Sequence, residues 1–136
     1  MATRRPQPPR DVLEKLRLTC LDLPEAYEEA AWVGTRWMVK KKNFAHVLML
    51  DAGWPPAYAR AAGASGPLCL LTFRLPESLL ASDRFVRAPF FRPPWFPNIV
   101  GVAVSEESDW DELSELLVHS YCVLAPAALV ARVRDG

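Results

Sequence analysis

Residues 36–50 read RWMVKKKNFAHVLML. Two extended runs flank three consecutive lysines. In the first, Trp37 and Val39 alternate with Arg36, Met38 and Lys40, the period-two pattern of a strand with one inward face. The second, NFAHVLML over 43–50, is almost wholly apolar, as a strand in the middle of a sheet is. The lysines and Asn43 separate the two runs, and Asn tolerates the backbone angles of a tight turn. The stretch therefore predicts a β-hairpin, and with it an antiparallel sheet.

Upstream, RDVLEKLRLTCLDLP (10–24) carries Val12, Leu13, Leu16 and Cys20 at helical spacing, with Leu21 or Leu23 closing the face. Pro8 and Pro9 lead in and Pro24 stops it, which predicts a helix over about 9–22. AYEEAAWVG (26–34) is weakly patterned and reads as a short strand ending at Gly34. Downstream, residues 51–67 are rich in Gly, Pro and Ala and read as a long loop. LCLLTFR (68–74) and IVGVAV (99–104) read as strands, and PESLLAS (76–82) as a short helix. The prolines of DRFVRAPFFRPPWFPN (83–98) exclude a central strand there.

SDWDELSELLVHSY (108–121) begins with Ser108 as a helix N-cap and places Asp111 at the third helical position. Leu113, Leu116, Leu117, Ser120 and Tyr121 fall on one face. A serine on that face either bonds back to the carbonyl of residue 116 or marks close packing. Pro126 separates this helix from a last segment, AALVARV (127–133). The order predicts an α+β fold: a single compact domain over 10–136, mostly antiparallel sheet with helices packed on one face, after a loose tail over 1–9.

The bulk numbers agree with that reading. The chain has 136 residues, 51% of them apolar, which suits one domain with a modest core. No apolar run approaches the ~20 residues that span a bilayer. MATRRPQPPR lacks the apolar segment of a secretory signal. The expectation is a cytoplasmic monomer without membrane contact. Cys20, Cys69 and Cys122 are far apart, with no paired spacing, and read as three buried thiols.

Net charge is zero, which argues against strong non-specific binding to nucleic acid. The distribution is uneven. Residues 32–104 hold nine Lys and Arg against three acids, and residues 105–136 hold two Arg against seven acids. Such asymmetry puts opposite potentials on two surfaces, unless the segments pack together and cancel.

Nothing in the sequence specifies an enzyme. There is no nucleophile elbow, phosphate-binding loop, dinucleotide fingerprint or paired-histidine zinc motif. His46 lies inside an apolar strand and reads as a packed sheet residue rather than a base. His119 sits beside the apolar stripe of its helix. Asp111, Glu112 and Glu115 read as a solvated helix face before a cation ridge. No metal or cofactor is expected.

Two binding readings stand. In the first, Lys40, Lys41 and Lys42 at a hairpin tip contact DNA phosphates, preceded by Arg36 and Trp37. Arg84, Arg87 and Arg92, interleaved with Phe85, Phe90, Phe91 and Trp95, add charge and stacking planes. The competing reading of the lysines is a solvated strand end that blocks sheet aggregation. In the second, Trp54, Tyr58, Phe91 and Trp95 form an interface for a protein or a small anionic ligand. The two part on position. Lysines and loop arginines sharing one face favour nucleic acid, whereas aromatics lining a cleft with arginine inside favour a ligand.

Four stretches taken in order resemble the MmcQ/YjbR family: WMVKKKNFAHV (37–47), LLTFRLPESLL (70–80), PFFRPPWFPNIVGVAV (89–104) and DWDELSELLVHSYCVLAP (109–126). The likeness covers about residues 10–133, and Asp109-Trp110 with Ser120-Tyr121 carry most of it. It departs where Ile99 or Val100 replaces a usual tryptophan, and in the apolar stretch over 51–67. The resemblance implies a frataxin-like topology described as a double wing, and a DNA-binding role. The metal-linked role of frataxin-like folds fits poorly, because the first helix carries only Asp11, Glu14 and Asp22.

Overall fold

In the computed structural model, which describes residues 6–135, the hairpin forms the heart of a six-stranded antiparallel sheet. The elements are α1 (Arg10–Cys20), β1 (Tyr27–Ala30), β2 (Thr35–Val39), β3 (Lys42–Leu50), α2 (Pro56–Ala62) and β4 (Leu68–Arg74). They continue with α3 (Glu77–Leu80), β5 (Phe90–Phe91), β6 (Ile99–Val104), α4 (Trp110–Leu124) and α5 (Ala127–Asp135). The strand order is β1-β2-β3-β4-β6-β5, and every neighbouring pair is antiparallel. Of the tail expected over 1–9, residues 1–5 lie outside the described residues, and Pro8 is buried.

One sheet face carries the main core. Val12, Leu16 and Cys20 of α1 and Leu113, Leu116, Leu117 and Tyr121 of α4 bury against Trp37, Val47, Leu71, Phe73 and Val102. These are the positions that the helical spacing picked out. Burial contributes about 2 kcal/mol per leucine. The three leucines therefore hold α4 to the sheet more firmly than surface ion pairs, at about 0–1 kcal/mol each. Leu129 brings α5 onto the same core.

The other face carries a smaller cluster, in which Leu48, Leu50 and Leu70 meet Tyr58, Ala59 and Ala62 of α2. This helix lies within the stretch expected to be a loop. Its signals were present: Pro56 at the first helical position, a run of alanines, and Gly63 closing it at φ 66°. The many Gly and Pro residues on either side masked them.

Four local differences have physical causes. Between Trp37 and Met38 the register slips, so Trp37 pairs with Ala45 and Met38 with Asn43, leaving Phe44 as the extra residue of a β-bulge. The slip lets the consecutive residues Phe44 and Ala45 both join the main core, while Trp37 and Val39 of β2 keep their alternation toward it. Asn43 is a strand residue; Lys40 and Lys41 take the positive φ angles of the turn, 48° and 65°. The N-cap of α4 is Asp109, whose carboxylate accepts the Glu112 amide, and Ser108 instead accepts the Ser105 amide. Finally, α1 ends at Cys20, two residues before the expected limit.

A single rung crosses all six strands on the α2 face: Glu29, Arg36, His46, Thr72, Gly101 and Phe91 are successive register partners. Cross-strand partners point to the same side. Phe91 lies over Gly101, where a Cβ atom would collide with its ring.

Candidate functional site

The lysine turn joins β2 to β3 directly, since Val39 pairs with Lys42. Two central residues at positive φ match the twist of the flanking strands and project the tip from the sheet. Lys40 bonds Glu25 at 2.8 Å. Arg132 of α5 reaches the other oxygen of the same carboxylate at 3.7 Å. The hydrogen bond and charge of Lys40, with a smaller contribution from Arg132, hold the Glu25 carboxyl below its ordinary range. Lys41 and Lys42 are exposed and make no ion pair among the described residues. Two cations, Lys40 and Arg132, thus meet on one acid, and Lys40 is next in sequence to Lys41 and Lys42.

The other predicted contacts lie elsewhere. Trp37 is fully buried, and its indole N–H donates to Glu28 at 2.9 Å, so no nucleic acid reaches it. Its strand is an inner one whose face meets the helices. Arg36 pairs with Glu29 on the opposite face, and its Nε is buried without a hydrogen-bond partner.

Arg84 pairs with Glu112 in the first turn of α4 at 2.7 Å and lies over the rings of Phe85 and Phe90. The lysine hairpin adjoins the far part of that helix, where Ser120 bonds Phe44 and Tyr121 bonds Pro24. From Glu112 to Ser120 the helix rises about 12 Å. Arg84 therefore stands about 12 Å along α4 from the lysine hairpin. Arg87 is exposed and makes no ion pair among the described residues.

Arg92 turns toward the α2 face. Its Nε donates to the Ile99 carbonyl at 3.1 Å and its Nη2 to the Pro97 carbonyl at 2.5 Å. With Pro94 and Trp95 it forms one wall of a cleft of about 460 Å³, and Ala57, Arg60 and Ala61 of α2 form the other. Trp95 meets Tyr58 edge-on, with ring centroids 5.0 Å apart. No acid lines this cleft.

Behind it, His46 sits between two partners: Nε2 lies 2.6 Å from the Val33 carbonyl, and Nδ1 lies 3.3 Å from the Tyr58 hydroxyl. A carbonyl only accepts, so Nε2 carries the proton and Nδ1 accepts from Tyr58. Burial, aided by the charge of Arg36, pushes the His46 pKa down, and burial pushes that of Tyr58 up. The pair ties β3 to α2 through one side-chain hydrogen bond. Trp54 packs on Trp32 with centroids 5.6 Å apart, and Trp32 is 88% exposed.

Sequence reasoning missed Arg60 and Arg132. Arg60 stood in a stretch read as loop. Arg132 belongs to a segment whose summed charge is negative, which hid its position beside the lysines.

Among the described residues no group of three or more His, Cys, Asp or Glu side chains converges as metal ligands would. Burial raises the pKa of Cys20 and takes that of Cys69 to about 12, so neither is an activated thiol. No helix among the described residues is long and apolar enough to cross a membrane.

A family model described as YjbR matches residues 21–123. No curated protein matches the chain. The crystal structure of a protein from Pseudomonas syringae, a structural-genomics target, aligns with a TM-score of 0.58 at 13% identity, over 85% of this chain and 98% of that one. At that identity the likeness is one of fold.

Proposed function

The chain belongs to the YjbR family, and from that premise we propose that it is a non-enzymatic domain that binds DNA through its phosphates, at the hairpin tip and the adjoining α5. The carrying observation is the regrouping of basic residues. Lys40 and Arg132 converge on Glu25, and Lys41 and Lys42 stand free beside them. Point charges on flexible stems suit phosphate contact and carry no base readout. Trp37 is excluded by burial, so the footprint is smaller than the sequence suggested.

Fluorescence anisotropy of a labelled duplex and a labelled single strand, at two salt concentrations, tests this reading. Binding is expected to weaken with salt and to collapse when Lys40, Lys41 and Lys42 are all changed to Glu. A folded sample that leaves the duplex unbound at low salt would sink it.

A second reading, a small anionic ligand, is favoured by one observation: Arg60, Arg92 and Trp95 line an acid-free cleft remote from the lysines.

A further inference from the structure

We infer that the cleft between α2 and the Pro-aromatic loop takes a flat ring that carries a phosphate, the chemistry of a nucleoside monophosphate. The inference rests on the ligand reading of this cleft and names its ligand class.

Arg92 is already ordered. Two of its five N–H donors are fixed on the Ile99 and Pro97 carbonyls, which leaves three donors on a guanidinium whose orientation is set before any ligand arrives. Such preorganisation removes the ordering cost that a free arginine carries. Arg60 faces it from α2, and neither arginine has an acidic partner among the described residues. Two unneutralised guanidinium groups on facing walls select an anion, and their planar forks match a phosphate.

The ring is called for by the rest of the lining. Trp95 is 36% exposed, and its contact with Tyr58 is edge-on. Tyr58 is held by His46, so this wall is fixed. Ala57 and Ala61 on the facing helix are small and leave room for a planar group against the indole. Aromatic stacking of a base is worth about 1–3 kcal/mol and is tolerant of base identity. A volume of about 460 Å³ is within the range of small-ligand sites, and is far larger than a lone phosphate needs.

The same chemistry has two sources: a free mononucleotide, or one nucleotide of a single strand. The experiment is a titration followed by two-dimensional 1H–15N NMR with four probes: AMP, ribose 5-phosphate, adenosine and a short oligodeoxynucleotide. AMP is expected to shift the Trp95 indole signal, assigned through Trp95→Phe. Ribose 5-phosphate and adenosine are each expected to bind at least tenfold more weakly. Arg60→Glu, on the exposed side of a surface helix, is expected to weaken AMP at least tenfold while leaving the remaining spectrum unchanged.

If ribose 5-phosphate binds as well as AMP and loses affinity in Arg60→Glu, the cleft remains an anion site and the ring requirement is overturned. If no probe moves the Trp95 signal at millimolar concentration, both the ligand class and the ligand reading fall. Competition of the oligonucleotide with AMP in the triple lysine-to-glutamate variant would identify a strand as the source. Its failure to compete would identify the free nucleotide.

Discussion

The hydroxyl of Ser120 in α4 donates to the backbone carbonyl of Phe44 in β3 at 2.6 Å. The same oxygen accepts the amide of Arg74 in β4 at 2.8 Å. Phe44 is the bulge residue, and the β3–β4 ladder ends one pair earlier, at Ala45 and Phe73. A helix side chain thus occupies the gap between two strands and satisfies both backbone groups that the bulge leaves over. The Phe44 ring meets Tyr121 edge-on with centroids 5.5 Å apart, which fixes the helix at the same point.

Ser120→Ala strips a buried donor and a buried acceptor of their partners at once. An unsatisfied buried polar group costs about 1–3 kcal/mol. Urea denaturation is expected to show a loss in that range without a change in slope. A change below about 0.5 kcal/mol would mean that Phe44 and Arg74 re-pair without the serine.

His46 gives the fold a pH dependence. Burial lowers its folded pKa below the ordinary value near 6.5. Below pH ~6.5 the unfolded chain takes up a proton that the folded chain resists, so the unfolded state binds more protons. The contribution is complete above that pH and is lost as pH falls toward the folded pKa. The melting temperature is expected to fall from pH 7 to 5.5, and less steeply in His46→Gln. Parallel profiles for the two proteins would refute the assignment.

Gly34 precedes β2 at φ 79°, and a Cβ there would overlap the Val47 carbonyl. Left-handed geometry alone costs a non-glycine residue about 1–3 kcal/mol. Gly34→Ala is expected to lose at least that much. Gly53→Ala serves as the control, since it has a similar φ of 73° with open space around the added carbon. Equal losses measured by thermal melts would show that the overlap relaxes.

Duplex affinity is expected to depend on salt with a logarithmic slope of about −3 if the hairpin and α5 cations meet three or four phosphates. Arg132→Ala is expected to reduce that slope by about one. Arg84→Ala is expected to leave it unchanged, because that side chain stands at the opposite end of α4. A slope that responds to Arg84 rather than Arg132 would relocate the footprint.

The hairpin, the two long helices and their apolar stripes were legible in the sequence, because local periodicity encodes them. Trp37, Val39 and the leucines of α4 fall where that periodicity places them. The bulge was not legible, since one extra residue leaves an apolar run looking apolar. Neither was the role of Ser120, which serves two strands distant in sequence. The site residues divided along the same line. The lysine tip follows from the hairpin, but Arg132 reaches it only because α5 folds back beside Glu25. Arg92 and Arg60 become neighbours only once α2 lies on the sheet face opposite α4.

Glu25 has one further consequence. It already occupies two of the four cations around the hairpin, so the protein carries a resident counterion. On the proposed DNA reading, docking of a phosphate there would exchange one anion for another, against a carboxylate held at a permanently high local concentration. Such a surface is held in check by its own chain. Glu25→Gln would remove that counterion and leave Lys40 and Arg132 to any polyanion, while Leu129 keeps α5 on the core.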